Sequence, residues 1–262
     1  MSKQANHGEL AFRIREAYAG TPIEPIRSKL AELDIDAAYA IQHENTAFWQ
    51  AAGRRLVGSK IGLTSLAVQK QLGVDRPVFG VLFADMLIGE DEPIALGRVL
   101  QPKIEAEVAF LIDRDVEVEA PTVADMIRAV GYAMPALEVV DSRISNWDIG
   151  IVDTVADNAS SGLFVLGGPI RKLDGLDLRS LQMLMRRRDE VVSKGSGSAC
   201  LGNPLNATAW LAGELVRRKK PLRAGDIVLS GALGPMVTVN RGDSFEVTIA
   251  GLGTVSAQFA AA

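Results

Sequence analysis

Glu105 and Glu107 stand one residue apart in Gln101-Pro-Lys-Ile-Glu105-Ala-Glu107-Val-Ala-Phe-Leu-Ile, and Glu138 follows later in Ala136-Leu-Glu138-Val-Val. In the first run Ile104, Val108, Phe110 and Ile112 alternate with their neighbours, and a period of two puts Glu105 and Glu107 on one face of a strand. Two like charges that close on a half-buried face are costly unless a proton, a basic partner or a metal cation neutralises them. A hard divalent ion such as Mg2+ or Mn2+ is the simplest neutraliser. Glu138, set in its own apolar run, would complete an all-carboxylate face with positions open to water or substrate. The same spacing also suits a solvated strand face with no chemistry.

Lys60 is the second chemical feature. In Gly58-Ser-Lys60-Ile-Gly62 glycines lie two positions to either side, so its face carries little side-chain bulk and leaves room for a ligand. Desolvated, or beside a cation, the amine would have its pKa lowered toward proton transfer; beside carboxylates it would be held charged. A surface lysine with its stem over apolar neighbours is the alternative. A third cluster, Asp153-Thr-Val-Ala-Asp157-Asn158-Ala-Ser160-Ser161-Gly162, gathers polar groups before a strand-like run. It suits a site mouth or an ordinary turn. The Gly231-Ala-Leu-Gly234-Pro235 loop presents unobstructed amides that suit a carboxylate nest or a simple turn between strands.

Other chemistries find little support. His7 and His43 are remote from the carboxylates in sequence, and His7 is expected in a frayed terminus, which disfavours a histidine-dependent triad. The chain has no Gly-x-Gly-x-x-Gly turn and no phosphate loop. A net charge of -4 argues against a nucleic-acid or membrane surface role. The single cysteine, Cys200, rules out an internal disulfide framework and points to the cytoplasm, as does the lack of a long apolar run or signal region.

The elements that must position these residues change character along the chain. With 262 residues, 48% apolar and 23% charged, the chain can bury a substantial core. Leu10, Ile14 and Ala17 predict a helix over 8–19, ended by Pro22 and Pro25. Asp36 is expected to open a second helix with Ala37, Ile41 and Phe48 on one side and Gly53 at its end. Residues 55–64 read as a strand, followed by a short helix from Ser65 that Gly73 would cap. Beyond residue 77 strands dominate, near 80–88, 103–113, 132–140, 162–166, 181–186, 190–194, 226–230, 235–239, 244–249 and 254–259. Two helices interrupt them, opened by Thr122 with Asp125 and by Asn203-Pro204. This is an α+β pattern: a helical N-terminal region over 1–76, which includes the Lys60 strand, and a closed or strongly curved mixed sheet over 77–262.

Taken together, Leu56-Val-Gly-Ser-Lys60-Ile-Gly-Leu-Thr64, Gln69-Lys-Gln-Leu-Gly-Val-Asp75, Leu100-Gln-Pro-Lys-Ile-Glu105-Ala-Glu107, Pro135-Ala-Leu-Glu138-Val-Val-Asp-Ser-Arg143, the Val152–Ser160 segment and Gly231-Ala-Leu-Gly-Pro-Met-Val237 carry a resemblance. The chain resembles the 2-keto-4-pentenoate hydratase family, in the hydratase and decarboxylase branch of the fumarylacetoacetate hydrolase superfamily, from about Ala37 to Phe259. The resemblance implies a mixed β-roll, barrel-like core of the fumarylacetoacetase C-terminal kind, a homo-oligomer, a small 2-hydroxydienoate or 2-oxo acid substrate and a pathway partner enzyme. It implies Mg2+ or Mn2+ on Glu105, Glu107 and Glu138, Lys60 as the catalytic proton carrier, and Asn158, Ser160 and Gly231 around the substrate. Hydration of 2-hydroxypenta-2,4-dienoate in meta-cleavage aromatic catabolism is the implied activity.

One position departs from the family pattern. Many hydratases of the branch resemble Pro-Asp-Phe-Gly where this chain has Pro77-Val78-Phe79-Gly80, and the 4-oxalocrotonate decarboxylases resemble an aliphatic residue there. Val78 cannot accept or relay a proton, so decarboxylation stands as the alternative activity. A non-catalytic subunit bound to an enzyme partner is the alternative of another class, against which the intact acids and Lys60 argue.

Overall fold

The computed structural model describes residues 7–31, 34–72 and 74–261. Two helices, α1 (His7–Ala17) and α2 (Ile35–Ala51), precede β1 (Leu56–Gly62), α3 (Leu66–Leu72), β2 (Val78–Phe83), β3 (Leu87–Ile88) and β4 (Lys103–Ile112). Then come α4 (Val123–Ala129), β5 (Val130–Val140), α5 (Ile151–Ala156), β6 (Ser161–Leu166), β7 (Gln182–Arg187) and β8 (Glu190–Ser196). The chain ends with α6 (Pro204–Arg217), β9 (Ile227–Ala232), β10 (Val237–Thr238), β11 (Ser244–Ile249) and β12 (Gly253–Gln258).

The larger sheet runs β2-β1-β9-β4-β5-β6-β3, with β10 added against β4, and the smaller runs β12-β11-β7-β8. The larger sheet is mixed: β1 lies parallel to β9 and β3 to β6, while β4 is antiparallel to both β5 and β9. A bridge from Gly168 to Thr254 stitches the two sheets together. Only glycine permits that approach, since a Cβ on neighbouring Gly167 would fall 2.2 Å from the Thr254 carbonyl oxygen. β4 is enclosed on both faces, with Ile104, Ala106, Val108, Ala109 and Phe110 all buried.

The helical region is fastened to this sheet by polar as well as apolar contacts. Buried Gln42 of α2 donates to the carbonyls of Phe79 on β2 (2.9 Å) and Val155 on α5 (3.0 Å). Tyr39 stacks on Phe79 with ring centroids 4.6 Å apart. β1 sits between β2 and β9, so the strand that carries Lys60 belongs to the larger sheet rather than to the helices.

Several local expectations are corrected. α2 opens earlier than Asp36: its cap is Asp34, whose carboxylate accepts the Ala37 amide at 2.9 Å, because a cap must precede the first helical residue. Ala37 and Ile41 are buried, but Phe48 is 52% exposed and lies under the Arg15 guanidinium at 4.4 Å, a cation–π contact on the outer face. His7 is the first residue of α1 rather than part of a frayed end. A third late helix, α5, was not legible: it has six residues and opens at Gly150, which has no side chain to cap it. Asp153 instead closes the turn from within the helix by accepting the Gly150 amide at 2.9 Å. Gly73, the expected cap of α3, lies outside the described residues.

Candidate metal centre

Antiparallel pairing of β4 with β5 places Glu105 directly opposite Glu138, and the period of β4 adds Glu107 to the same face. One carboxylate oxygen from each of the three lies within 4.8 Å of the others. That spacing suits oxygens held about 2.0–2.6 Å from a shared centre. Glu107 and Glu138 are 0% exposed and Glu105 is 7% exposed.

Lys60 reaches the same face from β1. Its Nζ lies 3.0 Å from Glu138 Oε1, and both side chains are buried. In a flat sheet β1 and β5 would be three strand spacings apart, roughly 14 Å at about 4.8 Å each. Contact between them therefore requires the sheet to curl around this face, and the curl turns four distant side chains into one site.

The electrostatics are unbalanced. With all three acids ionised, three carboxylates and one ammonium leave two negative charges in excess on a buried face. Burial, and then the Glu138 charge, push the Glu105 carboxyl up to about 7. Burial, with Glu138 and Glu105, raises Glu107 well above the ordinary glutamate range. Burial also raises Glu138, against the opposing pull of Lys60. Burial alone would depress the Lys60 ammonium, but Glu138, Glu105 and Glu107 outweigh it and hold the amine protonated.

Hydrogen bonding is incomplete in the same place. Glu107 Oε2 accepts the Gly231 amide at 2.7 Å, whereas Glu107 Oε1 and Glu138 Oε2 have no hydrogen-bond partner among the described residues. A buried acceptor left without a donor costs about 1–3 kcal/mol, more when charged. The two orphaned oxygens, the excess of two charges and an all-oxygen donor set fit a hard divalent cation.

Gly231 does this work because it is glycine. Its φ is +111°, and a Cβ there would lie 2.4 Å from the Thr64 side chain. Asn158 and Ser160 belong to a turn of three successive left-handed residues, with Asn158, Ala159 and Ser160 at φ 53°, 52° and 53°. Such conformations cost non-glycine residues free energy and collect at functional sites. The turn is clamped from both sides. The Asn158 amide accepts from Val81 N (2.7 Å) and donates to Val81 O (3.0 Å). Behind it, fully buried Arg143 binds Asp157 through Nε (2.5 Å) and through its backbone amide (3.0 Å). The Ser160 hydroxyl is buried without a partner among the described residues.

Sequence reasoning had not singled out the Arg143–Asp157 pair, whose separation gives no periodic signal. It also missed the cavity that opens from the acids. A hollow of about 410 Å³ is lined by Glu105, by residues 61–65 and 232–236, and by Lys194, Gly195, Ser196 and Ala199. Val78 lies beside the site on β2: it pairs with Gly62, as Lys60 pairs with Gly80. A Cβ on Gly62 would stand 3.2 Å from Val78 Cγ2 and 3.8 Å from Lys60 Nζ, and one on Gly80 would fall 2.3 Å from the Asn158 carbonyl oxygen, so the two glycines let Val78, Lys60 and the 158–160 turn close in on the strand pair. His43 lies elsewhere, its Nδ1 2.7 Å from the Lys220 amine.

Comparisons with known proteins converge on this architecture. Residues 54–260 match the family described as fumarylacetoacetate (FAA) hydrolase C-terminal. The chain is 63% identical over 241 residues to 2-keto-4-pentenoate hydratase 2 of Dechloromonas aromatica (strain RCB), covering 92% of each. It is 53% identical over 260 residues to 2-keto-4-pentenoate hydratase of Burkholderia vietnamiensis, covering 99% of each. Among solved structures, 4-oxalocrotonate decarboxylase from Pseudomonas putida G7, complexed with magnesium and adipate, superposes with a TM-score of 0.93 at 35% identity over 97% of both chains. With its mixed sheet curled around a buried acid trio and a family match running through nearly every strand, this chain belongs to the fumarylacetoacetate hydrolase family.

Proposed function

We infer that this chain hydrates 2-hydroxypenta-2,4-dienoate to 4-hydroxy-2-oxopentanoate in meta-cleavage breakdown of aromatic compounds. A divalent ion, Mg2+ or Mn2+, would be held by Glu105, Glu107 and Glu138. The reading rests above all on one observation: a buried carboxylate trio, short of hydrogen-bond donors, closed on one side by a lysine that it keeps protonated. The hydratase relatives supply the reaction class.

When bound, the ion supplies Lewis acidity toward the carboxylate and 2-oxygen of the substrate. The chain's own groups do the rest. Lys60 holds its proton against Glu138 and is the carrier for proton transfer at the substrate. Delivery of a proton to C5, with loss of the 2-hydroxyl proton, gives the conjugated 2-oxo-3-enoate; water then adds at C4 and a proton at C3. Ser160 is assigned to the substrate because its buried hydroxyl has no partner among the described residues. Asn158 acts by clamping the turn that carries Ser160, and Gly231 by orienting Glu107. A homo-oligomer working in the cytoplasm, with a pathway enzyme as partner, completes the reading; the lone buried Cys200 suits a reducing compartment.

A second reading is favoured by Val78, which pairs with Gly62 close to Lys60 and carries no proton, and by the likeness to a decarboxylase. Ultraviolet-monitored turnover with product identification separates the two. Metal-replete protein is incubated with 2-hydroxypenta-2,4-dienoate and, separately, with 2-oxohex-3-enedioate. Formation of 4-hydroxy-2-oxopentanoate from the first is expected. Carbon dioxide from the second, with the first left unhydrated, would reassign the chain as a decarboxylase. No turnover of either by the isolated chain would favour a non-catalytic subunit.

A further inference from the structure

We propose that Cys200 is a positioning residue of the metal centre: its thiol fixes the peptide between Ser230 and Gly231 so that the Gly231 amide faces Glu107. The proposal rests on the reading of the acid trio as an ion site and gives a function to a side chain outside that trio.

The need for such a residue arises from a bulge. Glu107 on β4 pairs with Ala232 on β9, yet Ala109 pairs with Leu229, so two steps along β4 answer three along β9. The extra residue of a bulge lies outside the regular ladder and locally disrupts it. Ser230 and Gly231 occupy that stretch. Gly231 has φ +111°, and without a Cβ its backbone resists rotation less than that of any other residue. Turned over, the same peptide would aim a carbonyl oxygen at a buried carboxylate, and the two would repel.

Side chains hold both polar groups of this peptide. The Gly231 amide donates to Glu107 Oε2 at 2.7 Å. The Cys200 thiol donates to the Ser230 carbonyl at 2.9 Å. Carbonyl and amide belong to one planar unit, so a bond to the first sets the direction of the second. Linked hydrogen bonds also polarise one another, and the thiol thereby strengthens the amide as a donor to the carboxylate. With Oε2 held in this way, Glu107 Oε1 stays buried without a hydrogen-bond partner among the described residues, turned over to an ion.

The segment that carries Cys200 is anchored on the strands and helix around the site. Leu201 lies at φ +44°, in the left-handed region that such a side chain rarely adopts. Its amide donates to the carbonyl of Thr64, just past β1, at 3.0 Å, and its carbonyl accepts from Asn206 of α6 at 2.9 Å. The Asn203 amide closes the turn on the Cys200 carbonyl at 2.8 Å. Strain maintained by bonds on both sides is the pattern of a positioned element. Cys200 is 0% exposed, and burial pushes its thiol up to about 12, so the group stays an S–H donor. A buried thiol of this kind acts through the bond it donates and not as a nucleophile.

Two measurements on the whole chain test the proposal. The first is calorimetric Mg2+ titration of the unaltered protein, Cys200→Ala and Cys200→Ser. Alanine removes the donor and is expected to weaken Mg2+ binding about tenfold, the usual scale for a group that orients a metal ligand. Serine returns a donor to the same place and is expected to recover most of the affinity. Unchanged affinity in the alanine variant overturns the proposal. So does equal weakening in both variants, which would make the contribution one of packing. The second measurement needs no variant. Cys200 is the one cysteine of the chain, so its S–H stretching band in the infrared reports this contact alone. An ion that draws charge from Glu107 alters the shared peptide and with it the acceptor strength of the Ser230 carbonyl. The band is expected to move as Mg2+ binds, and a band indifferent to bound Mg2+ overturns the proposal even where the variants do not fold. No Mg2+ uptake by the unaltered protein would sink the ion site and the proposal together. Hydration of 2-hydroxypenta-2,4-dienoate is assayed on the same samples: Mg2+ binding that depends on Cys200, without hydration, would sink the reaction assignment and leave Cys200 its role.

Discussion

Lys60 and Glu107 sit on the same face but answer to opposite requirements, which makes them separable by experiment. Removing the ammonium with Lys60→Met leaves three carboxylates and takes away the cation that competes for them. Turnover is expected to fall about 10²–10⁴-fold, while divalent-ion affinity is kept or increased. Glu107→Gln keeps the shape and the Gly231 hydrogen bond but removes a charged oxygen. Both ion affinity and turnover should fall, the latter by at least about 100-fold. Calorimetric Mg2+ titration beside steady-state rates checks the pair, and wild-type kcat in both variants would defeat the site assignment. At this scale the sequence was informative where side-chain direction follows from a period of two, as it does for Glu105 and Glu107. For Gly231 it offered an unobstructed amide but not its partner, since that amide is brought to Glu107 from 124 residues away.

The elements around the site are held by polar links that have no periodic signature. The left-handed turn at 158–160 depends on Arg143, which is buried against Asp157 and stacks on the Tyr18 ring at 4.3 Å. Arg143→Met would leave the Asp157 carboxylate buried and unpaired, at a cost of about 3–5 kcal/mol. Chemical denaturation should show that loss, and an unchanged midpoint would mean that the turn supports itself. Gly231→Ala would drive a Cβ into Thr64 and force alanine into a left-handed backbone. About 1–3 kcal/mol of destabilisation is expected, with weaker Mg2+ binding because the amide that orients Glu107 moves. Strands and long helices were readable because burial repeats along them. α5 and the left-handed backbone of the 158–160 turn were not: each is too short to show a repeat, and Asp153 also ties α5 to the Ile26 and Arg27 amides from the far end of the chain.

For the whole molecule, the acid trio links stability to pH and to metal. With the Glu105 carboxyl at about 7 in the fold against an ordinary 4.5, and Glu107 and Glu138 also raised, the folded metal-free chain binds more protons than the unfolded chain between these values. Stabilisation from these groups is therefore full below the ordinary glutamate value and is lost as pH rises through about 7. Urea midpoints in EDTA should fall from pH 5.5 to pH 8, and Mg2+ should restore the loss at the upper end. A metal-stripped protein as stable at pH 8 as at pH 5.5 would refute the assignment of these shifts. The order β1-β9-β4-β5 has a further consequence, in the time domain. Lys60 comes early in the chain, the acids in its middle, and the strand inserted between them near its end. A nascent chain that has not yet emitted β9 can neither seat β1 beside it nor supply the Gly231 amide to Glu107. Such long-range pairing forms slowly. In a refolding experiment, Mg2+ capture should therefore coincide with the last phase of structure formation, so that uptake of the ion times the completion of the fold.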